Sequence, residues 1–231
     1  METNQMATTT LAFDIYGTLI DTHGVSDLLE IFVGIQASIF MDTWRAKQIE
    51  YSFRRGLMKN YVDFSECTRN ALDFTCEQLK CKLSPKERNR LMQKYKLLPT
   101  FPDVHEGLAK LQSANFRLFA FSNGSAADVR GLLENANIIH LFEDVVSVND
   151  IKTFKPSPEA YAHFLQKSAS SNSNSWLISS NPFDVIGAIS AGIRSIWVKR
   201  SHRVVFDPWG IEPTETVDKI SDLYNILQGK P

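Results

Sequence analysis

"LAFDIYGTLIDT", residues 11–22, sets an acid at the end of an apolar run. Leu11, Ala12 and Phe13 precede Asp14, and Ile15 follows it. An ionised carboxylate loses its hydration in such a place, so Asp14 needs a positive partner from elsewhere in the chain. The turn that follows, Tyr16-Gly17-Thr18, brings two hydroxyls. A buried strand that ends on an acid and a turn is how an open α/β sheet delivers a polar group to its edge.

Further strand-like runs lie downstream: "RLFAFS" (117–122), "DVVSV" (144–148), "WLISS" (176–180) and "SIWVK" (195–199). Each is nearly all apolar instead of alternating, as strands are when both faces of the sheet are covered. Helical patterns at 103–114, 125–135, 157–167 and 182–191 separate them. Strands alternating with helices of this length predict an α/β fold, a doubly wound, Rossmann-like, mostly parallel sheet.

Residues 24–98 break this rhythm. They read as four helices, about 25–40, 42–57, 64–81 and 85–97, with "SPKE" (84–87) supplying a Ser cap and a first-turn Pro. The organisation expected is a core domain of residues 11–23 and 99–231 with an inserted helical cap domain, 24–98. Pro99 and Pro102 punctuate the return to the core. "KSASSNSNS" (167–175) reads as a polar loop.

The 231 residues suffice for a full core without covalent staples. A formal net charge of −1 gives no reason to expect nucleic acid or an anionic membrane as partner. Any cation doing chemistry must therefore act locally. Cys67, Cys76 and Cys81 are an odd count with no histidine among them, which predicts reduced thiols in place of a disulfide or a zinc site. No Lys or Arg precedes Arg45, which argues against a signal or transit peptide, and "LLEIFVGIQASIFM" (28–41) is short for a membrane span. The expected compartment is the cytoplasm.

The strand ends assemble one constellation. The first strand supplies Asp14, Tyr16 and Thr18; the second, Ser122, Asn123 and Gly124. After the third come Lys152, Lys155 and Tyr161, and the fourth supplies Ser179, Ser180, Asn181 and, one turn on, Asp184. Lys155 is the cation that lets Asp14 remain ionised in a partly apolar place.

"FDIYGTLID", "FSNGS", "FKPSPEAY" and "SSNPFD" stand in the order of the four motifs of the haloacid dehalogenase superfamily, which this chain resembles from about residue 11 to 229. The cap stretch "WRAKQIEYSFRRGLMKNYVDF" (44–64) is similar to the substrate-facing segment of the L-2-haloacid dehalogenases. That resemblance implies hydrolysis of (S)-2-haloalkanoic acids to (R)-2-hydroxy acids through an ester on Asp14. It implies no metal or other cofactor, a small haloacid and water as the reacting partners, and a homodimer. It assigns Lys155, Thr18 and Ser179 to the support of Asp14, Asp184 to the hydrolytic water, and Arg45 with Asn181 to the halide, beside Phe183. Ser122 and amides near Tyr16 and Asn123 would hold the substrate carboxylate. Tyr16, Ile49 and Phe64 would wall the alkyl group, with the Tyr161 hydroxyl near the site.

Two other readings stand beside this one. Phosphatases of the superfamily carry a second acid two residues after the nucleophile and a magnesium-binding acid in the fourth motif. Here Tyr16 and Ser180 occupy those places. A binding protein on the same fold would have no need of Asp14, Lys155 and Asp184 together. The chain also departs from its closest pattern, with Ala46 where many members carry Gln and Phe183 where many carry Trp. Arg54 and Arg55 read as surface charges, His23 as packing at the hinge to the cap, and Trp176, Trp197 and Trp209 as packing along the sheet.

Overall fold

A computed structural model describes residues 8–228; the polar start of the sequence and residues 229–231, the last of the expected core domain, lie outside it. The sheet is built from β1 (Thr10–Phe13), β2 (Arg117–Ser122), β3 (Asp144–Ser147), β4 (Ser175–Ser179), β5 (Arg194–Val198) and β6 (Glu215–Val217), in the order β3-β2-β1-β4-β5-β6. Every pairing is parallel. β1 is central, its Phe13 in register with Ala120 on one side and Ile178 on the other. Leu11, Phe13, Phe121, Ile178 and Ile196 are fully buried, which is why these strands carry so few polar residues.

Between β1 and β2 the chain forms α1 (Ser26–Val33), α2 (Ala37–Leu57), α3 (Phe64–Gln78) and α4 (Pro85–Tyr95), and no strand. α5 (Val104–Ser113) returns it to the sheet; α6 (Ala126–Asn135), α7 (Pro158–Lys167), α8 (Pro182–Ser190) and α9 (Leu223–Leu227) complete it. α4 starts on a full capping box, Ser84 with Glu87, and has Pro85 at its head. α2, α3 and α4 share a core of Phe40, Trp44, Leu72, Cys76 and Leu91. Trp44 Nε1 donates to the Thr68 carbonyl at 2.8 Å, pinning α2 to α3.

Several boundaries differ from the sequence reading. α1 ends at Gly34, whose φ of +59° a side chain would resist, and α2 then runs without a break from Ala37, so the interruption near residue 41 is absent. β6 and α9 were not anticipated; three and five residues are too short to display a period. His23 does not pack at the hinge: its side chain is 66% exposed and faces Asp21. Trp209 is likewise exposed, whereas Trp176 and Trp197 are buried in strands as read. The three cysteines are free thiols.

Candidate active site

Asp14 lies just past the end of β1, where its N–H still donates to the Ile178 carbonyl at 2.9 Å. Asp14 is 6% exposed, and both of its carboxylate oxygens accept hydrogen bonds. Oδ1 accepts from Lys155 Nζ at 2.9 Å; Oδ2 accepts from Thr18 Oγ1 at 2.7 Å and Asn181 Nδ2 at 2.8 Å. Gly17 makes the turn between Asp14 and Thr18 with φ +86°, a conformation that a Cβ would strain.

The partner that Asp14 required is Lys155, itself 1% exposed. Its three ammonium protons go to Asp14, the Phe121 carbonyl (3.1 Å) and Asp184 Oδ2 (2.7 Å). Burial opposes its charge, yet the two carboxylates outweigh burial and raise the amine above its ordinary 10.5. Asp184 is raised as well, which for a carboxyl disfavours the charge. Burial raises its carboxyl, Lys155 lowers it, the Asp14 charge raises it again, and the net direction is up from 3.8. One ammonium shared by two buried carboxylates leaves one negative charge over.

Ser179 meets Asp14 at one remove: its hydroxyl accepts the Asn181 N–H at 3.1 Å, and Asn181 donates to Asp14. Tyr161 is buried and brings its hydroxyl to the site, where it donates to Asp184 Oδ1 at 2.9 Å and so orients that acid. Burial and the Asp184 charge hold its proton well above the usual tyrosine range. Lys152 bonds Asn149 Oδ1 on the surface, apart from the constellation.

Asn181 occupies the N-cap position of α8, yet its side chain makes no capping bond. It turns to Asp14 and to the Tyr16 carbonyl (3.2 Å), a departure from the ordinary cap that marks a site. Ser122 accepts the Gly124 N–H at 3.0 Å, which leaves its own proton for a ligand. The Asn123 side chain accepts the Lys155 N–H at 2.8 Å and so ties the lysine segment to β2.

The helical segment closes over these groups. Arg45 on α2 donates from Nη2 to the Tyr16 carbonyl (3.2 Å) and Asn181 Oδ1 (3.4 Å), and from Nη1 to Gln48 Oε1 (2.6 Å). Phe64 heads α3 with its ring 5.8 Å from that of Tyr16, and Tyr95 stacks on Tyr16 at 5.7 Å. Phe183 meets Phe53 of α2 edge to face at 5.0 Å, and Ile49 is half-buried on α2. Tyr16, Phe64, Thr68, Tyr95 and Gly124 help to line a cavity of about 30 Å³, and at its rim Lys96 Nζ bridges to Asp128 Oδ1 at 3.1 Å. That volume is enough for a water.

Sequence reading missed Gln48, Tyr95, Lys96 and Arg200. Arg200 donates from Nε and Nη2 to the Thr18 carbonyl (3.0 and 2.6 Å) and grips Asp103 through Nη1 (2.8 and 2.9 Å). It thereby braces the residue that hydrogen-bonds Asp14. No local pattern announces such a long-range clamp.

A family model for haloacid dehalogenase-like hydrolases matches residues 11–198. Haloacetate dehalogenase H-2 of Moraxella sp. (strain B) is 35% identical over 94% of this chain and 96% of its own length. (S)-2-Haloacid dehalogenase 2 of Pseudomonas sp. (strain CBS-3) is 35% identical over 94% of each. The structure of L-2-haloacid dehalogenase from Xanthobacter autotrophicus with chloropropionic acid covalently bound superposes with a TM-score of 0.91, at 28% identity, over 97% of this chain and all of that one.

Proposed function

The chain belongs to the haloacid dehalogenase-like hydrolase family, and from that premise we propose that it is an (S)-2-haloacid dehalogenase, a hydrolase of carbon–halogen bonds. The observation that carries this reading is Asp14: a buried carboxylate paired with Lys155, with the Arg45 cation of the helical segment bonded to its neighbours Tyr16 and Asn181. An Asp14 oxygen attacks C2 of the 2-haloalkanoate from behind, the carbon–halogen bond breaks, and the halide leaves with its electron pair. C2 is inverted, and an ester joins Asp14 to the substrate. Water then adds to the Asp14 acyl carbon, giving one proton to Asp184; the ester C–O bond breaks, Asp184 passes that proton to the departing alkoxide to give the (R)-2-hydroxy acid, and the acid left on Asp14 loses its remaining proton to solvent.

Arg45 and Asn181 meet the departing halide, with the Phe183 edge beside them. Ser122 and the amides around Tyr16 and Asn123 hold the substrate carboxylate. Tyr16, Ile49 and Phe64 surround its alkyl group. Fixed donors of this kind orient the attack and stabilise developing charge without reorganisation. Residues 24–98 act as a cap domain on a core of 11–23 and 99–231. Ala46 and Phe183 leave the nucleophile intact and bear on substrate size and halide affinity.

A magnesium-dependent phosphatase fits this donor set poorly. Magnesium favours several carboxylate or water oxygens in an octahedron. Asp14 and Asp184 are both bound to the Lys155 ammonium, the place of a second acid is taken by Tyr16, and Ser180 donates its hydroxyl proton to the Gly17 carbonyl. We read the enzyme as cytoplasmic and homodimeric; the exposed apolar face of Ile31, Ile35 and Ile39 favours a second copy. Halide release from the separate enantiomers of 2-chloropropionate, beside p-nitrophenyl phosphate with magnesium, tests the proposal. Turnover of the phosphate ester without halide release would refute it.

A further inference from the structure

Gln48, one turn beyond Arg45 on α2, is 1% exposed and lies where three helices of the cap converge. Its Oε1 accepts from Arg45 Nη1 at 2.6 Å and from the hydroxyl of Tyr95, at the end of α4, at 3.1 Å. Its Nε2 donates to Thr68 Oγ1 of α3 at 2.6 Å. The orientation of this amide is dictated from outside. Thr68 gives its only hydroxyl proton to the Phe64 carbonyl at 2.8 Å, so towards Gln48 it can only accept. Nε2 must therefore face Thr68, and Oε1 must face Arg45. A flipped amide would set an acceptor against an acceptor and an N–H against an N–H.

The bonds of Arg45 to the core, 3.2 and 3.4 Å, are both longer than its bond to Gln48. Among the described residues no carboxylate forms an ion pair with it. We infer that Gln48 is a positioning residue, which holds the Arg45 guanidinium through a neutral acceptor so that the cap delivers an aimed but unneutralised charge to the departing halide. The halide part of this inference rests on the function proposed above; the positioning part rests on the geometry alone. A glutamate here would hold Arg45 as firmly but cancel its charge. An apolar residue would leave the charge and lose the aim. Glutamine alone of the three satisfies Thr68, Tyr95 and Arg45 together.

Two readouts test this, with Gln48→Met and Gln48→Glu compared with the parent at matched folded fraction. The first is ¹⁵N NMR of the arginine side chains, in which the Arg45 Nη1 protons should exchange slowly in the parent and in Gln48→Glu but rapidly in Gln48→Met. The second is turnover of (S)-2-chloro- and (S)-2-bromopropionate. Both variants should lose roughly tenfold or more in kcat on the chloride, with KM nearly unchanged. The loss on the bromide should be smaller, because bromide needs less help to depart. A merely structural role would lower the thermal midpoint and leave the bromide-to-chloride ratio where it was. Slow Nη1 exchange in Gln48→Met together with a parental halide ratio would overturn the inference. A parent that releases no halide but shows the Nη1 difference would defeat the proposed function and sustain the positioning role.

Discussion

Asp14 and Asp184 share a single cation: Lys155 Nζ stands 2.9 Å from one carboxylate and 2.7 Å from the other, and all three side chains are buried. The arrangement ties the proposed nucleophile to the group proposed to handle water. It also makes the lysine indispensable twice over. Lys155→Met leaves two buried carboxylates facing one another, and breaking a buried pair on one side costs about 3–5 kcal/mol. Denaturant titration should show that loss near neutral pH, along with loss of activity. The sign of the pH dependence follows from the raised Lys155 amine. Its stabilisation is fully present below 10.5 and disappears as pH rises through its higher native value. The gap in thermal midpoint between parent and Lys155→Met should therefore hold from neutral pH to about 10 and shrink beyond it.

Asp184→Asn should separate the two halves of the reaction. The amide can still sit beside Lys155 and Tyr161, so Asp14 can still attack, but nothing deprotonates water. Mixing this variant with (S)-2-chloropropionate should release one halide per active site and then stop. Intact-mass spectrometry should show the substrate acid attached to the peptide containing Asp14. In the parent, activity should rise with pH through a limb above the ordinary aspartate range, because the Asp184 carboxyl is raised.

Arg45→Ala should cost about 2–4 kcal/mol of transition-state stabilisation, the usual value of a charge-assisted contact in a closed site. Arg45→Lys should recover little, since an ammonium cannot reach Gln48, Asn181 and the Tyr16 carbonyl at once. Steady-state kinetics on 2-chloropropionate measure both.

Activity should survive dialysis against EDTA unchanged and gain nothing from added magnesium. The reason is the occupancy of both carboxylates by Lys155, with Tyr16 and Ser180 where further acids would be needed. A chelator-sensitive rate restored by magnesium would contradict it.

The sheet was legible because a parallel core strand must be apolar on both faces, and all five runs picked out on that ground are strands. β6 escaped because its three residues include exposed Thr216 and half-buried Glu215. The Asp14–Lys155–Asp184 cluster was legible from strand-end positions plus charge balance. The partners of Ser179 and Tyr161 were not legible, because they depend on how Asn181 is turned and on which way a helix points its hydroxyl. Neither is a property of spacing. Gln48 and Arg200 lay hidden for the same reason: each gains its meaning from residues 20 to 182 positions away.

The central claim is that Asp14 itself supplies the oxygen delivered to the product. The alternative, with Asp14 as a base and water attacking C2 directly, inverts C2 just as well, so stereochemistry is silent. A single turnover in ¹⁸O-water with enzyme in excess separates the two. A nucleophilic Asp14 gives ordinary oxygen in the first 2-hydroxy acid formed and ¹⁸O in the peptide that contains Asp14. Labelled product from that first turnover, with no label in the peptide, would contradict it.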